Sequence, residues 1–274
     1  MTSRTFTALT RIVVTLVLFF YGYAVSVAQQ ARQYTFSHFT TADGLAANFT
    51  NSIVQDNEGY MWIATINGLQ RYDGSSFLTI KTHPDKKGAI PTNNISLLYR
   101  DRKDRIWLAA VNNAVGLFDT KKLLFANVPV VSRKSYSGYT GKYFFEDFNG
   151  NLLLHDFGNL YKYDELTKAF QPANSLIPTP RNWKVTRFYL DVYEKKYWIC
   201  ADSGIAVYNP ATQHLNYRGH NPDKEQVIEK AQTSSVYHLL PLKDQILYCT
   251  WPASSVAPLL FKINRKTGER NSMF

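Results

Sequence analysis

Asp56-Asn57-Glu58-Gly59-Tyr60-Met61-Trp62-Ile63-Ala64-Thr65, followed by Gly68-Leu69 and Arg71-Tyr72-Asp73, is the stretch that decides the fold, because it returns. Asp101-Arg102-Lys103-Asp104-Arg105-Ile106-Trp107-Leu108-Ala109-Ala110 repeats it and ends at Leu117-Phe118-Asp119. A third copy runs Asp147-Phe148-Asn149-Gly150-Asn151-Leu152-Leu153, then Gly158, Leu160 and Tyr163-Asp164. A fourth runs from Asp191 to Tyr197-Trp198-Ile199, then Gly204-Ile205 and Tyr208-Asn209. A weaker fifth copy places Leu247-Tyr248 after Lys243-Asp244, then Phe261 to Asn264. With Trp62, Trp107, Leu153, Trp198 and Leu247 as equivalents, the steps are 45, 46, 45 and 49 residues. A fixed period of this length marks stacked structural units rather than one irregular core.

Each unit reads as four short strands. Ser52-Ile53-Val54-Gln55 precedes Asp-x-x-Gly, in which Asp caps the first turn position and Gly accepts positive φ at the fourth. In the second copy Asp104 stands where the first has Gly59, and Asp tolerates the left-handed region better than most side chains. Trp62 to Thr65, Leu69 to Tyr72 and Phe77 to Ile80 supply three further strands, separated by Asn67-Gly68 and Asp73-Gly74. Only Lys224 to Gln232 hints at helix after residue 30. The expected fold is all-β: a β-propeller of four-stranded blades, with units at about 45–80, 91–128, 139–171, 185–218 and 234–274. Asp56, Gly59, Trp62, Gly68, Asp101, Trp107, Asp147, Gly150, Trp198 and Gly204 are its structural repeat, each Trp wedged against a neighbouring sheet. Cys200 and Cys249 each lie two residues beyond a Trp-equivalent position, so their side chains point the same way in successive blades. A bridge needs facing side chains, so both are expected as free, mostly buried thiols. Tyr34 to Phe39 is expected as a strand able to close a last blade. Because the fifth unit already owns an outer strand near 269–274, about five blades of a larger, seven-bladed propeller are expected here.

Residues 1–28 read as a signal peptide. Arg4 and Arg11 form a positive start, Ile12 to Val27 is apolar, and Ser26-Val27-Ala28 is a cleavage site before Gln29; an uncleaved anchor is the alternative. Export puts residues 29–274 in the periplasm or beyond the cytoplasm, and removing the leader lowers the net charge from +10 to +8. The remaining Lys and Arg residues scatter through turns without forming a stripe, which argues against a nucleic-acid partner.

Phe36-Ser37-His38-Phe39-Thr40-Thr41-Ala42-Asp43-Gly44-Leu45, leading into Gln55-Asp56, Gly59, Trp62-Ile63, Thr65, Gly68-Leu69 and Arg71-Tyr72-Asp73-Gly74, resembles the opening of the two-component regulator propeller family. The resemblance covers about 34–274 and fades through the third and fifth units, where Asp104, Leu153 and the stretch 242–263 depart from the pattern. It implies the periplasmic sensor portion of a histidine kinase or hybrid two-component regulator. In that family a tyrosine-rich immunoglobulin-like domain, a membrane helix and a kinase follow the propeller. Membrane attachment and phosphorylation would belong to that C-terminal part, so the 274 residues here are expected to bind rather than catalyse.

No His-x-x-x-His or Cys-x-x-Cys pair indicates a metal, and no cofactor is expected. The candidate ligand residues sit on loops joining second to third strands: Asn67, Asn112, Asn113, Asp202 and Trp251, of which the Asn amides and the Trp ring suit an oligosaccharide. A small ligand and possible dimerisation through the sensor region are the expected partners. A secreted polysaccharide hydrolase or lyase and a protein-interaction scaffold are the alternatives.

Overall fold

The computed structural model describes residues 13–16, 36–131, 141–156, 158–231, 234–251 and 257–273. The leader read over 1–28 therefore lies almost wholly outside the described residues; residues 13–16 are helical. No helix among the described residues is long and apolar enough to cross a membrane. The chain divides into Met1–Phe39 and Thr40–Phe274.

The second unit contains five four-stranded antiparallel sheets. Blade 1 is β1 (Thr50–Gln55), β2 (Met61–Thr65), β3 (Gly68–Tyr72) and β4 (Phe77–Ile80). Blade 2 is β5 (Ile95–Arg100), β6 (Ile106–Ala110), β7 (Val115–Asp119) and β8 (Leu124–Asn127). Blade 3 is β9 (Tyr143–Glu146), β10 (Leu152–Asp156), β11 (Asn159–Asp164) and β12 (Ala169–Pro172). Blade 4 is β13 (Val185–Asp191), β14 (Lys196–Ala201), β15 (Gly204–Asn209) and β16 (His214–Tyr217). Blade 5 is β17 (Val236–Pro241), β18 (Gln245–Thr250), β19 (Leu259–Asn264) and β20 (Arg270–Ser272). Strands follow chain order in each sheet, and first strands of consecutive blades approach one another, β1 to β5, β5 to β9 and β13 to β17. This is a β-propeller array whose first strands are innermost. A one-turn helix, α1 (Gln226–Lys230), falls inside the stretch 224–232 and buries Val227 and Ile228 between blades 4 and 5.

The strand expected over 34–39 to close a last blade is described only from Phe36 onward. Phe36 to Phe39 run as irregular chain with Phe36 exposed, and Tyr34 and Thr35 lie outside the described residues. A strand exists only where hydrogen bonds pair it, and each of the five sheets already holds four strands without it.

The repeat has a chemical reason that the turn pattern alone did not disclose. Asp56 uses one carboxylate oxygen to accept the Glu58 and Tyr60 amides, at 3.0 Å each, closing the β1–β2 turn. Its other oxygen accepts the indole N–H of Trp62 at 2.7 Å. Asp101 does the same for Trp107 at 2.8 Å, and Asp191 for Trp198 at 2.9 Å. In blade 3, where Leu153 replaces the ring, Asn151 Nδ2 donates to the vacated Asp147 oxygen at 2.7 Å. Blade 5 has lost both partners together, with Leu242 at the Asp position and Leu247 at the Trp position. Arg265 of blade 5 instead forms a buried ion pair with Asp191 of blade 4. Burial opposes ionisation of Asp191, but the donors Arg265 and Trp198 outweigh it and hold the carboxyl below its usual range.

Each anchored ring packs on the following blade. Trp62 meets the Phe118 edge at 5.2 Å between centroids, and Trp107 meets Tyr163 at 4.7 Å and Phe170 at 5.4 Å. All three indoles are fully buried. The same face in blade 5, carrying Leu240, Leu247 and Cys249, is partly or largely exposed, so Cys200 is buried and Cys249 only half-buried; both are free thiols. The two cysteines do occupy equivalent register, Cys200 opposite Arg187 and Cys249 opposite His238. Two turns show the backbone demands. Asp104 adopts φ +59°, and Gly68 adopts φ +128° where a Cβ would stand 2.8 Å from the Ile80 carbonyl oxygen.

Trp62→Phe keeps the apolar ring but leaves an Asp56 oxygen without its donor, which costs about 2–4 kcal/mol with the small cavity included. Urea unfolding of the two proteins measures this, and a loss below ~0.5 kcal/mol contradicts the anchoring role. Without reductant, a thiol reagent modifies Cys249 in the native protein and Cys200 only after unfolding, since burial pushes the Cys200 thiol pKa far up.

Candidate functional site

The loops joining second to third strands lie at one end of the array, together with the starts of the innermost strands. Four of the five residues expected there as ligand contacts hydrogen-bond within the protein. Asn67 Nδ2 donates to the Ala46 carbonyl at 3.0 Å, and Asn112 Nδ2 to the Pro91 carbonyl at 3.3 Å. Asn113, at φ +68°, accepts from Lys142 Nζ across the blade 2–3 seam at 2.6 Å. Asp202 accepts the Lys184 amide at 3.1 Å, and its carbonyl accepts Ser235 Oγ of blade 5 at 3.0 Å. Trp251 remains half exposed. The five residues belong to four blades, and three clefts among the described residues are lined by other side chains. One such cleft, about 850 Å³, lies at the opposite end between the β5–β6 and β7–β8 turns, with Lys87, Lys103, Arg105, Lys121 and Lys122 on its walls. Four of those cations have carboxylate partners, Glu165, Asp101, Glu58 or Asp119.

Register reveals a second set of residues. Ser52, Leu97, Tyr143, Arg187 and His238 occupy the same level on the five innermost strands, opposite Ala64, Ala109, His155, Cys200 and Cys249. In blades 1, 2, 4 and 5 a β-bulge precedes this position, and the bulged residue carries a polar or aromatic side chain. Asn51 donates to the Ile95 carbonyl of the next blade at 2.6 Å, and Thr186 Oγ1 contacts the Val236 carbonyl of the next blade at 3.1 Å. Asn51 and Thr186, the bulged residues of blades 1 and 4, thus stitch each of these blades to the next.

Polar chemistry concentrates where blades 3, 4 and 5 meet. His155 is 2% exposed, lies between Tyr143 and Phe188, and has Nδ1 3.3 Å from the Gly141 carbonyl while Nε2 has no partner. Burial, with the Arg187 charge adding to it, lowers the His155 pKa from 6.5 to about 4. Half-buried Arg187 lies over the Tyr143 ring at 5.2 Å, and Tyr189 Oη is 3.1 Å from His238 Nδ1. Burial pushes Tyr189 up to about 12. Among the described residues no group of three or more His, Cys, Asp and Glu side chains is arranged to hold a metal ion. The histidines were visible in the sequence. Arg187 was missed: it lies 11 residues before Trp198, whereas Ser52 lies 10 before Trp62 and His238 9 before Leu247, so register alone aligns the three.

The fold and this end of the array invite comparison with known proteins. Residues 44–67, which span the first Asp-Trp turn, match the Two component regulator propeller family. A 74-residue stretch is 32% identical to histidine kinase P4 of Formosa agariphila, covering 27% of this chain and 5% of that protein. Among solved structures, the extracellular domain of the hybrid two component system BT3049 from B. thetaiotaomicron superposes with a TM-score of 0.54 at 17% identity, over 83% of this chain and 35% of that one. PorZ, a bacterial surface component of the type-IX secretion system of Porphyromonas gingivalis, gives 0.53 at 10% identity, over 81% of this chain and 33% of that one. This chain thus spans about a third of those structures and a twentieth of the kinase. The resemblance read at residues 36–74 stands, and the propeller fold is shared with the extracellular domain of BT3049.

His155 is neutral in the native protein and takes a proton near pH 6.5 only when unfolded. Its contribution is therefore fully present above pH 6.5 and is lost as pH falls toward 4, on the order of 3 kcal/mol. Urea midpoints across that window show the decline in the native sequence, and His155→Leu flattens it; an unchanged slope contradicts the assignment.

Proposed function

We propose that this chain is the ligand-sensing, non-catalytic portion of an extracytoplasmic two-component signalling receptor, delivered by a leader cleaved after Ala28. The observation that carries the reading is the match of the first blade to the two-component regulator propellers, in a chain whose blades follow one another in the same register. The likeness of a 74-residue stretch to a histidine kinase supports the signalling context. Repeated Asp residues support binding over catalysis, since their carboxylates are consumed by turn amides and indoles rather than offered to a substrate. The small ligand, with an oligosaccharide as the first candidate, binds where the innermost strands begin, and dimerisation through this region would pass the signal on.

In a Gram-negative host the exported product begins at Gln29, and Arg4→Glu with Arg11→Glu keeps the chain in the cytoplasm, as N-terminal sequencing and fractionation will report. Incubated with a panel of polysaccharide digests, the exported chain binds one fraction saturably and leaves it chemically unchanged. Turnover of the bound fraction would instead assign a secreted enzyme, and self-association without any ligand a scaffold.

A further inference from the structure

Arg187 is chemically out of place. Among the described residues it has no hydrogen bond and no carboxylate within ion-pairing distance; its protein partner is the face of Tyr143. A guanidinium carries five donors in a fixed fork, and a half-buried one left with a ring alone is poised for a planar anion. Two other buried cations have acidic or amide partners. Lys142 Nζ contacts Asn113 and lies 4.0 Å from Asp156, while Arg265 is paired with Asp191 and Glu194.

The surroundings select the kind of anion. On the next innermost strand, at the same register level, His238 has its Nδ1 held by Tyr189 Oη and its imidazole exposed. On the preceding blade, Tyr143 is fixed by its hydroxyl, which accepts the Phe188 amide, so its ring is a rigid wall beneath the guanidinium. Burial, and after it the Arg187 charge, disfavours protonation of both His155 and His238. A ligand carboxylate answers each feature: two oxygens for the fork, one within reach of His238, and a body that lies toward the open end of the array.

We propose that Arg187, flanked by Tyr143 and His238, forms an axial carboxylate-binding site spanning blades 3, 4 and 5, which makes the ligand of this propeller an organic acid. This deepens the sensor reading and rests on it. Arg187 anchors the carboxylate, Tyr143 positions the guanidinium, and His238 supplies the second polar contact.

D-glucuronate and D-glucose, alike in size and differing in the carboxylate, provide the test by calorimetric titration of the full chain. Glucuronate binds saturably and glucose does not. Arg187→Gln weakens glucuronate roughly 10- to 100-fold, and Arg187→Lys, which keeps the charge but loses the fork, falls between. Because Arg187 makes no hydrogen bond among the described residues, the ligand-free Tm of either variant stays within about 2 °C of the native value, which certifies the fold. Equal glucuronate affinity in Arg187→Gln, or equal binding of the two sugars, overturns the axial site. Binding of a neutral oligosaccharide with no response to glucuronate overturns it too, while leaving the sensor reading intact. A chain that binds no small ligand of either charge sinks both.

Discussion

A carboxylate that is shared between a turn and an indole governs this architecture. At the first hairpin of a blade, one oxygen of the aspartate satisfies backbone amides that the tight turn leaves unpaired. The other fixes the only polar atom of the largest side chain in the sheet. Local backbone geometry and inter-blade packing are thereby tied to the same residue. The indole can be buried completely because its N–H is satisfied, and its ring then reaches into the aromatic cluster of the following blade. Where the ring is missing, the oxygen is either given another donor, as Asn151 does in blade 3, or the aspartate disappears as well, as in blade 5.

Stability in such an array is a sum over seams. Each seam joins the ring-bearing face of one blade to the opposite face of the next, so the two end faces are exceptions. Ile53 on blade 1 and Leu240 on blade 5 are both more than half exposed, whereas Leu153, inside, is fully buried. The half-buried state of Cys249 beside the fully buried Cys200 is the same effect seen at equivalent residues. At the blade 4–5 seam, where indole anchoring ends, the buried Arg265–Asp191 pair and helix α1 take its place.

The architecture was legible because it is written in a period, and a period survives substitutions at single copies. Trp62, Trp107 and Trp198 announced the blades, and register confirms Leu153 and Leu247 as their counterparts. The Asp-to-indole bond was not read, although the six- or seven-residue offset is constant enough to suggest it. The candidate contacts Asn67, Asn112, Asn113 and Asp202 were chosen for loop position. Loop position does not reveal which neighbour consumes an amide, since Ala46, Pro91 and Lys142 meet them only in three dimensions. Arg187 went unseen because a single bulge at Thr186 shifts its orientation, and alternation along a strand cannot count an extra residue.

That same bulge has a mechanical side. Thr186 reaches the carbonyl of Cys200 in its own blade and that of Val236 in the next. Two innermost strands are therefore clamped at one atom, and Arg187 is the very next residue. A tug of a few tenths of an ångström on its guanidinium would be felt as shear between whole sheets rather than as motion of one loop.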